Sequence, residues 1–180
     1  MFKHETQVKK FLLKWYSVNA RILPWRKKAN KTLANPYFVL VSEYMLQQTT
    51  VNTVKNKFND FVLKWPSVNK LARIKESEIL KFWSGLGYYS RARNLLKTAK
   101  IINKSFKNKI PQTYDELIQL PGIGDYTAKA ILGIGFNKSV MPLDANIERI
   151  LVRLHAIDKP INKVKIKLKD LGNKFISDKY

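Results

Sequence analysis

Glu43 stands in Val39-Leu40-Val41-Ser42-Glu43-Tyr44-Met45-Leu46, where its helical neighbours at three and four residues are Val39, Leu40, Leu46 and Gln47, none of them a cation. A carboxylate on so apolar a face is desolvated. Its pKa then rises and it can hold a proton near neutral pH, as a general acid must. In the first turn of a helix the same residue would instead complement the helix dipole. A second acid, Asp144, lies in Met141-Pro142-Leu143-Asp144-Ala145-Asn146-Ile147-Glu148-Arg149, placed to cap the helix that follows. Its alternative role is a carboxylate beside a cationic centre, the division of labour between two acids found in glycoside cleavage. Spacing does not choose between these roles.

Three further segments carry groups suited to a polyanion. Leu120-Pro121-Gly122-Ile123-Gly124 precedes the helical pattern Tyr126-Thr127-Ala128-Lys129-Ala130-Ile131-Leu132. Its two glycines permit backbone conformations closed to other residues and bare the N–H groups at a helix start. That is how a chain grips an anion such as a DNA phosphate without a side chain. The alternative is an ordinary tight turn between helices. Gln47-Gln48-Thr49-Thr50 supplies amides and hydroxyls that could hydrogen-bond bases, or simply a polar helix end. In Gly85-Leu86-Gly87-Tyr88-Tyr89-Ser90-Arg91-Ala92-Arg93, apolar and aromatic wedges stand beside cations, as unstacking a base pair requires. The tyrosines could equally be core residues.

The elements that must position these residues read as helices. Apolar residues recur at helical spacing, as in Phe11, Leu12, Trp15 and Tyr16, or Leu95, Leu96, Ala99 and Ile102. Prolines 24, 36, 66, 111, 121 and 142, with the glycine pairs, divide the chain into about eight short helices. Thr113 and Glu116 form a capping box at one helix start. Phe38-Val39-Leu40-Val41 resembles a strand but runs without a turn into Glu43, so a buried helix is expected. Near the end, Val164, Ile166 and Leu168 alternate with lysines, which suits an edge strand or a poorly specified helix.

Composition bounds the rest. In 180 residues, 34 Lys and Arg against 13 Asp and Glu leave a net charge of +21, which favours a nucleic-acid partner or reflects a genome-wide lysine bias. The absence of cysteine excludes disulfides, thiolate zinc sites, catalytic thiols and cysteine-held iron-sulfur clusters. His4 and His155 are too far apart in sequence to suggest a metal site. No signal peptide appears, and no segment reaches the roughly 20 apolar residues of a membrane span. The expectation is a soluble, cytoplasmic monomer of one domain or two small lobes, with no membrane and no metal.

LPGIG, its following helix and the downstream LDAN resemble the helix-hairpin-helix DNA glycosylases. LPWR at 23–26, SEYMLQQTT at 42–50 and GLGYYSRARNL at 85–95 narrow the resemblance to adenine DNA glycosylases of the MutY type, over roughly residues 8–157. The resemblance implies an all-α fold with two helical lobes flanking a DNA-binding cleft. One is a six-helix lobe over residues 28–137 carrying the hairpin at 120–124; the other joins residues 1–27 with 138–180. It implies base-excision repair: hydrolysis of the N-glycosidic bond of adenine opposite 8-oxoguanine or guanine in double-stranded DNA, leaving an abasic site. Glu43 matches the acid that protonates adenine, and Asp144 the carboxylate that stabilises the sugar cation. Gln48 and Tyr88 match residues that enter the base stack and sense the oxidised guanine. Arg26, Leu46 and Asn146 match the adenine pocket or its water network. The segments around them bring in Gln47, Thr49, Leu86 and Arg91, and the hairpin Gly122, Ile123 and Gly124, as DNA contacts. Tyr126 occupies the place where bifunctional relatives carry a Schiff-base lysine, so the chain resembles a monofunctional enzyme. Hairpin carbonyls could hold a structural monovalent cation, and no other cofactor is expected.

Two departures from the family pattern stand out. Ala145 replaces a common glycine, and the chain stops where a four-cysteine iron-sulfur motif would begin, with no 8-oxoguanine recognition domain after it. A truncated second lobe is therefore expected, with Val164, Ile166 and Leu168 poorly covered. The competing functions are a thymine or uracil mismatch glycosylase of the same superfamily and an inactive DNA-binding remnant.

Overall fold

The computed structural model describes residues 3–26 and 34–176. Among them there is no strand. The helices are α1 (Lys3–Asn19), α2 (Pro36–Leu46), α3 (Val51–Lys64), α4 (Val68–Ala72), α5 (Glu76–Trp83), α6 (Ser90–Ser105), α7 (Tyr114–Ile118), α8 (Asp125–Ala130), α9 (Ala145–Leu154) and α10 (Ile161–Asn173). A π-helical turn, Ile131–Gly135, continues α8. The described residues thus hold more helices than the eight or so expected, since α4 and α7 are single turns of five residues each.

Local sequence explains most starts. Asn35 caps α2 by accepting from the Tyr37 N–H at 2.9 Å, with Pro36 at the first position, where its missing N–H costs nothing. At α7 the Thr113 hydroxyl accepts from the Glu116 N–H at 3.3 Å. The Glu116 carboxylate, however, accepts a hydrogen bond from the Thr113 hydroxyl at 2.7 Å, in place of the backbone bond that a capping box would make.

The chain divides into two compact units, Ile22–Asn137 and Met1–Arg21 with Lys138–Tyr180. The division expected between residues 27 and 28 lies outside the described residues. Residues 22–26 go with the larger unit because Leu23 and Trp25 are buried, Trp25 edge-on to Phe58 with ring centroids 5.0 Å apart. Within this unit α2 is apolar all round and buried from Val39 to Met45, so Phe38-Val39-Leu40-Val41 belongs to a central core helix. Phe61, Trp65 and Phe82 pack edge to face beside it, and α6, with Leu95, Ala99 and Ile102 buried, packs against α4.

In the other unit α9 and α10 pair through Leu151, Val164, Leu168 and Leu171. The alternation of Val164, Ile166 and Leu168 belongs to a helix and not to a strand. Residues 164, 168 and 171 share one helical face and are buried, while Ile166 points away, 82% exposed. Poor cover was expected for all three, and of these residues only Ile166 is exposed. A β-carbon at Gly172 would come within 3.1 Å of Met141, so α10 lies close against the segment before Asp144.

Candidate active site and nucleic-acid interface

Helix α2 carries Glu43 into the apolar interior of its unit. The carboxylate is 7% exposed, and burial pushes its pKa up from 4.5 to about 7, against the opposing pull of the Arg26 guanidinium. That cation was invisible to a reading of helical spacing, because it arrives from the turn before α2, where the Arg26 N–H donates to the Leu23 carbonyl at 3.0 Å. Arg26 Nε is buried and finds no hydrogen-bond partner among the described residues. A protonatable acid and an unsatisfied donor therefore share one low-dielectric neighbourhood. Leu46, half-buried, closes the helix.

The hairpin is tied to this helix. The hydroxyl of Tyr44 donates to the Pro121 carbonyl and lies 2.9 Å from Thr98 Oγ1, and Gln47 Nε2 donates to the Gly122 carbonyl at 3.3 Å. Gly122 has φ +80°, and a β-carbon there would sit 2.8 Å from Asn94 Nδ2 and 3.1 Å from Tyr44 Cε1, so glycine is required twice over. Ile123 departs from its expected role as a DNA contact: its side chain is buried and its N–H closes the turn on Leu120 at 3.1 Å. It anchors the hairpin and leaves Gly122 and Gly124 exposed on either side. Tyr126 follows in the first turn of α8, 40% exposed.

Arg91 and Leu86 also face inward, contrary to their expected contact with DNA. Leu86 is 6% exposed because its side chain fills the core under the glycine turn. Arg91 is 5% exposed, and its Nη1 donates to the carbonyls of Tyr44, Met45 and Gln47 at the C-terminal end of α2. Nη2 reaches Thr49 Oγ1 and the carbonyls of Leu86 and Gly87 at 2.8–3.1 Å, and Nε reaches the Tyr88 carbonyl at 3.4 Å. A guanidinium occupied in this way has nothing left for a phosphate. Thr49 is likewise an internal tie, whereas Gln48 and Tyr88 are exposed, and both are non-glycine residues in the left-handed region, at φ +58° and +45°.

In the smaller unit Asp144 is a cap: its Oδ1 accepts from the Ile147 N–H at 2.8 Å. Its other oxygen is held at 3.2 Å by Asn146 Nδ2, whose own carbonyl accepts from Arg149 at 3.1 Å. Both oxygens are therefore engaged, one by the cap and the other by Asn146, and together they fix the orientation of the carboxylate.

Among the described residues no three His, Asp or Glu side chains gather to hold a metal, and no helix is long and apolar enough to cross a membrane. Of the hairpin carbonyls that could face a monovalent cation, Leu120, Pro121 and Gly122 already accept internal hydrogen bonds.

The residues that sequence reasoning missed are Tyr44, Asn94 and Thr98. The available signal was a phenol and a hydroxyl on otherwise apolar helix faces, since buried polar groups are paired.

The family profile for the HhH-GPD superfamily base excision DNA repair proteins matches residues 41–174. The adenine DNA glycosylase of Buchnera aphidicola subsp. Schizaphis graminum is 45% identical over 159 residues, covering 88% of this chain and 44% of that protein. The human adenine DNA glycosylase is 40% identical over 164 residues, 87% of this chain and 30% of its own. The chain thus spans less than half the length of the curated relatives it matches. Among solved structures, a thermostable thymine-DNA glycosylase superposes with a TM-score of 0.84 at 24% identity, covering 96% of this chain and 78% of its own. A trapped endonuclease III–DNA covalent intermediate gives 0.75 at 21%, covering 98% and 80%. At such identities the two structures establish the fold: all-helical, with the hairpin between α7 and α8.

Proposed function

The chain belongs to the HhH-GPD superfamily of base excision DNA repair proteins, and on that footing we propose that it hydrolyses the N-glycosidic bond of adenine opposite 8-oxoguanine or guanine in double-stranded DNA, leaving an abasic site. The observation that carries this reading is Glu43, buried on α2 with its pKa raised to about 7. The identity to adenine DNA glycosylases over nearly nine-tenths of the chain supports the choice of base.

The duplex cannot present a glycosidic bond to a buried acid, so the adenosine leaves the stack, at a cost of a few kcal/mol. Glu43, which keeps its proton on a substantial fraction of molecules near pH 7, donates it to N7 of the flipped adenine, which makes the base a better leaving group. As the C–N bond breaks, positive charge grows on the sugar. The negative charge of Asp144 offsets it, and Asn146 holds the orientation of that carboxylate. Water adds to the sugar and completes hydrolysis. Tyr126 offers a phenol where an imine would need an amine, so the strand is left intact. Gly122 and Gly124 hold the phosphate backbone by their exposed position in the hairpin.

The test is a single-turnover assay on duplexes carrying A opposite 8-oxoguanine, A opposite G, or T opposite G, each read before and after alkali. Strand breaks that require alkali, on the two adenine duplexes only, are the expected result. Release of thymine, breaks without alkali, or no release of adenine at all would overturn the proposal.

A further inference from the structure

A buried arginine without a carboxylate among its bonded partners calls for a reason, because desolvating a charge is costly and an apolar side chain could fill the same volume. The bonds of Arg91 supply one. The guanidinium joins the carbonyl of Gln47 to the carbonyls of Gly87 and Tyr88, groups 40 and 41 residues away in sequence. It also lies 5.6 Å from the centre of the Tyr88 ring. Immediately after the first carbonyl comes Gln48, and at the second stands Tyr88.

Both are left-handed non-glycine residues, a strained conformation shared with Lys107, Asn108, Asn137 and Ala156 that needs support from the surroundings, and here the fork of Arg91 supplies it. Gln48 is exposed, as is Tyr88 at 61%, so the strain serves no burial. One amide, with a donor and an acceptor, and one aromatic ring, suited to stacking on a base, are thereby presented from two loops that share a single internal fork.

We infer that Arg91 is a positioning residue which fixes Gln48 and Tyr88 as a rigid pair, and so sets how well the protein distinguishes the base opposite the adenine. The inference rests on the function proposed above in taking mispaired duplex as the ligand. Lysine keeps the charge but has donors on one point instead of a planar fork, so Arg91→Lys cannot hold both loops.

The experiment measures binding, not release. The 180-residue chain is titrated into fluorescent duplexes carrying non-hydrolysable 2′-fluoroadenosine opposite 8-oxoguanine or opposite cytosine, and into an undamaged duplex. In Arg91→Lys the preference for 8-oxoguanine over cytosine should fall by about tenfold, while affinity for undamaged duplex and its salt slope stay as in the parent. In a Gln48→Ala/Tyr88→Ala background, Arg91→Lys should change the preference no further, since the groups it positions are gone. Should Arg91→Lys fail to fold, Thr49→Ala, which removes one acceptor of the fork at 3.1 Å, should lower the preference in the same direction. An unchanged preference, a parallel loss on undamaged duplex, or an undiminished effect in the double-alanine background would overturn the inference. So would a parent chain with no preference. A parent that prefers 8-oxoguanine yet releases no adenine would count against the proposed reaction and leave this inference standing.

Discussion

The hydroxyl of Tyr44 donates to the carbonyl of Pro121, which joins the residue after the buried acid Glu43 to the residue before the hairpin glycine Gly122. A group that would grip DNA and a group that would perform chemistry are therefore held in one rigid body, helix α2 against the hairpin, and not on separate loops. Tyr44→Phe keeps the ring and removes the bond, leaving the Pro121 carbonyl only the weaker contact from Thr98 at 3.2 Å. Unfolding in urea should show a loss of about 1 kcal/mol. A stability equal to that of the parent would mean the bond does not hold the hairpin.

Glu43→Gln keeps shape and loses the transferable proton, so single-turnover adenine release should drop by about 10² to 10⁴ while duplex binding is retained. In the parent chain the rate should decline as pH rises through about 7, where the acid loses its proton. Folding raises this pKa above its ordinary 4.5, so the proton is bound more tightly by the folded state. The resulting contribution to stability is complete below about 4.5 and is lost as pH rises through about 7. Relative to Glu43→Gln, the parent should therefore lose stability between pH 5 and about 8. A pH-independent difference in denaturant midpoints would contradict the buried position of the acid.

For Asp144 the structural and chemical roles separate by substitution. Asparagine caps as well as aspartate, so Asp144→Asn should leave the melting temperature nearly unchanged while adenine release falls severely. Asp144→Ala should lose both, with about 1 kcal/mol of stability gone. Release that survives in the asparagine variant would reduce Asp144 to a cap.

The two hairpin glycines should respond differently. Gly122→Ala meets Asn94 at 2.8 Å in a left-handed backbone and should lower both stability and affinity for every duplex alike. Gly124 has φ −98° and open space around its β-position, so Gly124→Ala should fold as the parent does. Binding to undamaged duplex should weaken with salt, log affinity against log salt falling by about 0.9 per phosphate neutralised. A Gly122→Ala defect confined to mispaired duplex would point to base readout and away from a phosphate grip.

What the amino-acid sequence determined by itself is the set of features that depend on neighbours within a few positions. Asn35-Pro36 and Asp144 start helices because their side chains reach N–H groups two or three residues on. The apolar run around Glu43 makes a helix buried on every side, and burial alone then raises the acid, so the candidate general acid was legible before any coordinate. The matched segments from LPWR to LDAN carried the family. The tertiary structure decided the direction in which charged and apolar groups point, which no local spacing encodes. Arg91 reads as a phosphate-binding cation at a helix start, yet its fork is taken up by carbonyls up to 47 residues away. Leu86 and Ile123 are buried although each stands in an exposed glycine turn, and Arg26 comes beside Glu43 through a turn outside the acid's own helix. In α10 the same lysine-interleaved pattern fits a strand by its period of two and a helix by its period of four. The packing of residues 164, 168 and 171 on α9 selects the helix.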